Sequence, residues 1–82
     1  MKIYQYHGKC NISGRAIRAE RERQGLSQEQ LAARMQVEGI PLNQKAVSRV
    51  ETGLRVVSDY ELMAFARVLR VTMEHLAGQE EG

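Results

Sequence analysis

The sequence predicts an all-α domain of five short helices. Three observations carry that expectation. Polar capping residues recur just ahead of segments whose apolar residues fall three and four positions apart. Two of those segments open with Ser-x-x-Gln or Ser-x-x-Glu, in which each end satisfies a backbone amide of the other. No run alternates apolar and polar residues as a half-buried strand does.

The first helix is expected to start at Ser13, whose hydroxyl can accept a bond from an unpaired amide, and to run to about Gln24. Ile17 lies inward, with Arg21 four residues on along the same stripe; Arg15, Arg18 and Arg23 look outward. Gly25 stops the helix, because the position after a helix favours positive φ. Ser27 opens the second helix and Gln30 completes its capping box. Leu31 and Met35 form the buried stripe there, and Ala32 and Ala33 are small enough to admit a close neighbour.

A turn follows at Glu38-Gly39-Ile40-Pro41-Leu42-Asn43. Pro41 cannot sit inside a helix, and it pushes Ile40 toward an extended conformation. Asn43 caps the third helix, expected from Gln44 to about Thr52 and closed by Gly53. That helix hides Val47 and Val50 and exposes Gln44, Lys45 and Arg49. Ser58 and Glu61 box the start of the fourth, whose apolar face is Leu62, Phe65, Ala66 and Leu69. Thr72 caps a short fifth helix carrying Leu76 and ended by Gly78. The expected organisation is a flexible N-terminal arm over 1–14, a folded domain over 15–78 and a frayed acidic tail over 79–82.

Eighty-two residues make one small domain with one modest core. Residues 1–70 hold all twelve Lys and Arg and seven acids, a balance of +5; residues 71–82 hold no base and three acids. A basic body with an acidic end fits a polyanion on one face, and equally a plain solvated surface. Cys10 is the only cysteine, so no internal disulfide can form. With His7 nearby it supplies too few ligands for a structural zinc site, so neither metal nor cofactor is expected. No stretch approaches the roughly 20 apolar residues of a membrane span. The first residues lack the apolar core of a signal peptide. The chain is therefore expected in the cytoplasm. No Ser-His-Asp grouping, phosphate-cradling glycine loop or metal-ligand cluster is present, which points away from an enzyme and gives no small-molecule substrate.

Three segments, in order and in register with the expected helices, carry a resemblance. They are Ile17-Arg-Ala-Glu-Arg-Glu-Arg-Gln-Gly-Leu-Ser-Gln-Glu-Gln-Leu-Ala, then Ala46-Val-Ser-Arg-Val-Glu-Thr-Gly, then Asp59-Tyr-Glu-Leu with Ala66-Arg-Val-Leu-Arg-Val. Together they resemble the helix-turn-helix domain of the phage repressor and Cro type, the xenobiotic response element family, over residues 15–78. The resemblance implies a lambda-repressor-like fold and a transcription regulator, most often a repressor. It also implies double-stranded DNA as partner and a homodimer on a palindromic operator. Residue by residue, it implies that Gln28 touches a backbone phosphate and braces the recognition helix. It implies that Gln44, Lys45 and Arg49 reach base edges. Asn43, Ser48 and Arg55 match positions near the sugar-phosphate backbone, and Arg21 and Glu51 match a buried ion pair. The chain departs from the family in its turn: the gap from Met35 to Asn43 is about five residues longer than usual, which bears on the register of the third helix.

The residue chemistry agrees with those roles. Arg49 carries a planar fork of donors that matches guanine O6 and N7, Gln44 can pair with adenine N6 and N7, and Lys45 can donate to guanine or fall back to phosphate. The competing reading is that these are ordinary solvent-facing side chains, on a protein-interaction module or antitoxin-like partner that retains the fold. Two further expectations concern the ends. Tyr4, Tyr6, Lys2 and Lys9 could form an arm that reaches along DNA, against disorder or packing on the body. Met73 and Leu76 of the last helix are the expected dimer surface.

Overall fold

Helix formation in the computed structural model follows the capping signals closely; the structure describes residues 5–78. Among them are α1 (Gly14–Arg23), α2 (Gln28–Val37), α3 (Gln44–Glu51), α4 (Asp59–Leu69) and α5 (Met73–Leu76). The only extended pairing among these residues is an isolated antiparallel bridge between Tyr6 and Lys9. The architecture is thus all-helical, as expected. The tail at 79–82, together with Lys2 and Tyr4 of the arm, lies outside the described residues.

Both capping boxes form. Ser27 accepts from the Gln30 amide at 3.0 Å while the Gln30 side chain accepts from Ser27 N at 2.8 Å. Ser58 and Glu61 do the same at the head of α4. Asn43 and Thr72 cap α3 and α5 through their side chains. The exception is α1. Ser13 sits in a helical conformation and makes no side-chain cap bond. Asn11, two residues earlier, accepts from Gly14 N at 2.8 Å instead. The reason is tertiary: the Asn11 amide also donates to one carbonyl in the last turn of α3 and one in the loop after it, and those bonds fix it over the helix start.

That arrangement changes the expected loose arm. His7 and Gly8 both have positive φ, which folds the chain back so that Tyr6 N and Lys9 N each donate to the other residue's carbonyl. Cys10 N then donates to Gly53 O at 2.8 Å, and Lys9 Nζ to Thr52 O at 3.1 Å. Residues 9–11 are therefore tied to the end of α3, and Gly14 already belongs to α1.

One core joins the helices. Ile17 of α1, Leu31 and Met35 of α2, Val47 and Val50 of α3, Phe65 and Leu69 of α4 and Leu76 of α5 are all fully buried. Burying each such side chain contributes roughly 1.5–3 kcal/mol against leaving it exposed. Ala32 is buried, but Ala33 faces solvent. The inward stripe of α2 is Leu31, Ala32 and Met35, and Ala33 lies outside it. α5 also departs from expectation. Leu76 lies in the core and Met73 packs on it, so the surface expected to pair two copies is used internally.

The lengthened turn is well fastened. Gly39 has φ of 85°, and Ile40 N donates to Met35 O at 2.9 Å, a six-residue closure that ends α2. Leu42 N donates to Ile40 O across Pro41, and Gln36 Nε2 donates to Leu42 O at 2.9 Å. Leu42 itself is buried, and Ile40 is half-buried against the core. The extra residues thus add an apolar plug beneath α2 and α3.

Candidate nucleic-acid interface

α3 is short, and its two faces differ sharply. Val47, Val50 and Glu51 are buried, whereas Asn43, Gln44, Lys45, Arg49 and Thr52 are exposed and Ser48 is half-buried. Lys45, Arg49 and Thr52 are spaced i, i+4, i+7 and so share one stripe. Gln44 and Ser48 flank it. Arg18, Arg21, Arg23, Arg55 and Arg67 each face an acid. Lys45 and Arg49 face none among the described residues. Their positive charge is therefore available to an outside partner.

The inner side of α3 is held by a chain of polar contacts. Arg21 Nε lies 2.6 Å from Glu51 Oε2 and Arg21 Nη2 lies 3.0 Å from Glu51 Oε1. The Glu51 side chain is 1% exposed and that of Arg21 11%. Arg21 also donates to Leu26 O at 2.7 Å, which ties the end of α1 to the start of α2. The Glu51 carboxylate, by bonding and charge, pushes the Arg21 guanidinium above its ordinary value despite burial. Gln28 Nε2 donates to Glu51 Oε1 at 3.0 Å, and Gln28 Oε1 accepts from Gln44 Nε2 at 2.6 Å. A primary amide has two N–H donors. Gln44 therefore keeps one N–H and its carbonyl for another partner, with the plane of its amide set by Gln28.

Arg55 differs from the role implied for it. Its Nη1 and Nη2 donate to the two Glu61 oxygens at 3.0 and 3.2 Å, and Nη1 also donates to Val56 O. Burial pushes the Glu61 carboxyl up, but the Arg55 guanidinium and the Ser58 bonds outweigh it, and the carboxyl ends below the ordinary range. Arg55 thus braces the loop between α3 and α4, with both terminal nitrogens already bonded to Glu61. The α4 capping box brings this acid back over the loop, which spacing along the chain did not reveal.

Thr52 and Asn11 at this face were given no role by the sequence, and Lys9 was expected only in an arm reaching along DNA. Thr52 extends the exposed stripe, donating its hydroxyl to Ser48 O at 3.1 Å. Lys9 and Asn11 reach the end of α3 from a segment without any period. A shallow hollow between Asn43, Lys45, Arg49 and Arg55 runs along the outer side of α3. Among the described residues no group of three or more His, Cys, Asp or Glu could hold a metal ion, and no helix is long and apolar enough to cross a membrane.

A family model described as helix-turn-helix matches residues 17–76, which span α1 to α5. The chain belongs to that family, in its Cro/C1 branch. Membership makes it a DNA-binding regulator by class. The restriction-modification controller protein C.AhdI from Aeromonas hydrophila is 33% identical to this helix-turn-helix chain. That match covers 77% of this chain and 84% of the other, with a TM-score of 0.66. The P22 c2 repressor, solved in complex with synthetic operator 9T, gives a TM-score of 0.71. It covers 85% of this chain and 98% of the other, and at 21% identity that likeness shows the fold alone. No curated protein matches the sequence.

Proposed function

We propose that the protein is a repressor that binds a specific double-stranded DNA site as a homodimer. Gln44, Lys45 and Arg49 read base edges; Gln28, Asn43 and Ser48 contact the sugar-phosphate backbone. One observation carries the reading: α3 presents two unpaired cations and an oriented amide on one exposed face, while its other face is locked into the core. Such a helix can enter a major groove without first breaking an ion pair. The free amides at the start of α3 add a site that favours a phosphate. The likeness to a restriction-modification controller protein at 33% identity supports the regulatory sense. For the second copy, Val56, Tyr60 and Met63 offer exposed apolar surface at the start of α4.

The test is selection of bound duplexes from a random pool, followed by affinity measured against salt. A recovered palindrome gives the half-site and the dimer symmetry together. Each cation seated on a phosphate adds about −0.9 to the slope of log affinity against log salt. Arg49→Ala is expected to cost roughly 1–3 kcal/mol and to relax preference at one base position. Absence of any duplex enrichment, with flat salt dependence, would overturn the DNA reading and favour a protein-interaction module.

A further inference from the structure

We propose that Asn11 is a positioning residue for α3: the folded-back N-terminal segment fixes the angle at which the recognition helix is presented. The proposal rests on the DNA reading above. Asn11 uses its whole amide. Its Nδ2 donates to Val50 O at 3.0 Å and to Arg55 O at 2.7 Å, and its Oδ1 accepts from Gly14 N at 2.8 Å. One side chain thus joins the start of α1, the last turn of α3 and the loop after α3.

The neighbouring contacts act in the same sense. The last carbonyls of a helix have no partner within it. Here the segment supplies donors just past that end, from Lys9 Nζ to Thr52 O and from Cys10 N to Gly53 O. A cation at a helix C-terminus also interacts favourably with the helix dipole. α1 sits so close that a Cβ on Gly14 would collide with the Val50 carbonyl oxygen. This end of α3 is therefore held by backbone contact, and Asn11 is the side chain that spans the joint.

The geometry makes the joint a lever. Gln44 and Val50 are six residues apart, about 9 Å along a helix. A tilt of about 10° at the Val50 end moves the groove-facing end by ~1.6 Å over that length. Hydrogen bonds to base edges tolerate roughly 0.5 Å. Lys45 and Arg49 keep their charge through such a tilt, so attraction to phosphates survives while base discrimination does not.

The test compares Asn11→Ala and Asn11→Ser with the wild type on two duplexes, the selected site and a random sequence, at one salt concentration. Both substitutions are neutral; Ser retains a short acceptor for Gly14 N and cannot reach Arg55 O. Helicity and melting temperature are recorded for each variant. The expected result is a loss of about tenfold on the selected site, comparable to losing one bidentate base contact. Affinity for the random duplex stays within about twofold, and the salt slope is unchanged. Equal losses on both duplexes, no loss on either, or failure of both variants to fold would overturn the positioning role. A wild type that does not distinguish the two duplexes would instead remove the DNA reading itself.

Discussion

Removing the carboxylate of Glu51 is the sharpest test of how α3 is anchored. Glu51→Ala strands the Arg21 guanidinium, which is 11% exposed, and deprives Gln28 Nε2 of its acceptor. Breaking a buried ion pair by deleting one partner costs roughly 3–5 kcal/mol. Arg21 keeps Leu26 O at 2.7 Å and has Glu22 at 4.0 Å, which favours the low end, about 3 kcal/mol. A domain of this size has about 4–12 kcal/mol of total stability. The loss is therefore a large share of the whole. At about 4–8 °C per kcal/mol, the melting temperature should fall by roughly 12–24 °C. The assay is thermal unfolding followed by circular dichroism, with Arg18→Ala as control. The Arg18–Glu22 pair is 58% and 56% exposed, and a surface pair contributes only about 0–1 kcal/mol. If Glu51→Ala melts no lower than Arg18→Ala, the pair does not anchor α3 and the argument fails.

Leu42→Ala should destabilise by about 2–5 kcal/mol, because the lengthened turn buries this side chain in the core; a urea midpoint unchanged from wild type would contradict that. Gly14→Ala should also destabilise, since the new methyl meets the Val50 carbonyl oxygen and backbone must move; unchanged melting would show the approach of α1 and α3 to be looser. In acid, Glu20 and Glu61 set the sign. Arg23's hydrogen bonds hold the Glu20 carboxyl below the ordinary range against burial, and Arg55 and Ser58 do so for Glu61. Both folded values are thus depressed relative to an unfolded carboxyl. Their stabilisation is present above the unfolded value and is lost as pH falls through the folded values. Melting temperature should be nearly flat from about pH 7 to 5 and then decline. Glu61→Gln should start lower and show a shallower acid decline; a parallel curve would exclude Glu61 from the effect.

Local signals were legible and distant ones were not. Ser27 with Gln30, Ser58 with Glu61, and Asn43 each satisfy amides within three residues, so sequence spacing alone located those helix starts. The buried stripe of α2 and the inward valines of α3 followed from helical period. Ser13 does not cap α1 because Asn11 is held over that helix by carbonyls 39 and 44 residues away. Arg55 looked like an exposed loop cation because nothing local shows that the α4 capping box turns Glu61 back toward it. Leu76 looked available for a partner because four residues of helix have too little pattern to show which side is covered. Each miss is a place where a tertiary contact determined the role of a side chain.

The insertion before α3 raises a question of register, and the contacts answer part of it. The N-terminal end of α3 is tied to Gln28 through Gln44, its inner face to Arg21 through Glu51, and its far end to Asn11 through Val50. None of these bonds involves residues 38–42. Their partners lie on α1, on the first turn of α2 and in the N-terminal segment. Extra residues between α2 and α3 can therefore lengthen the path without moving the helix, provided that they close on themselves. They do so through Ile40 N to Met35 O and Gln36 Nε2 to Leu42 O, and Leu42 fills the space beneath. The orientation of α3 is thus set by contacts outside the turn, and turn length can vary while the face carrying Gln44, Lys45 and Arg49 keeps its direction.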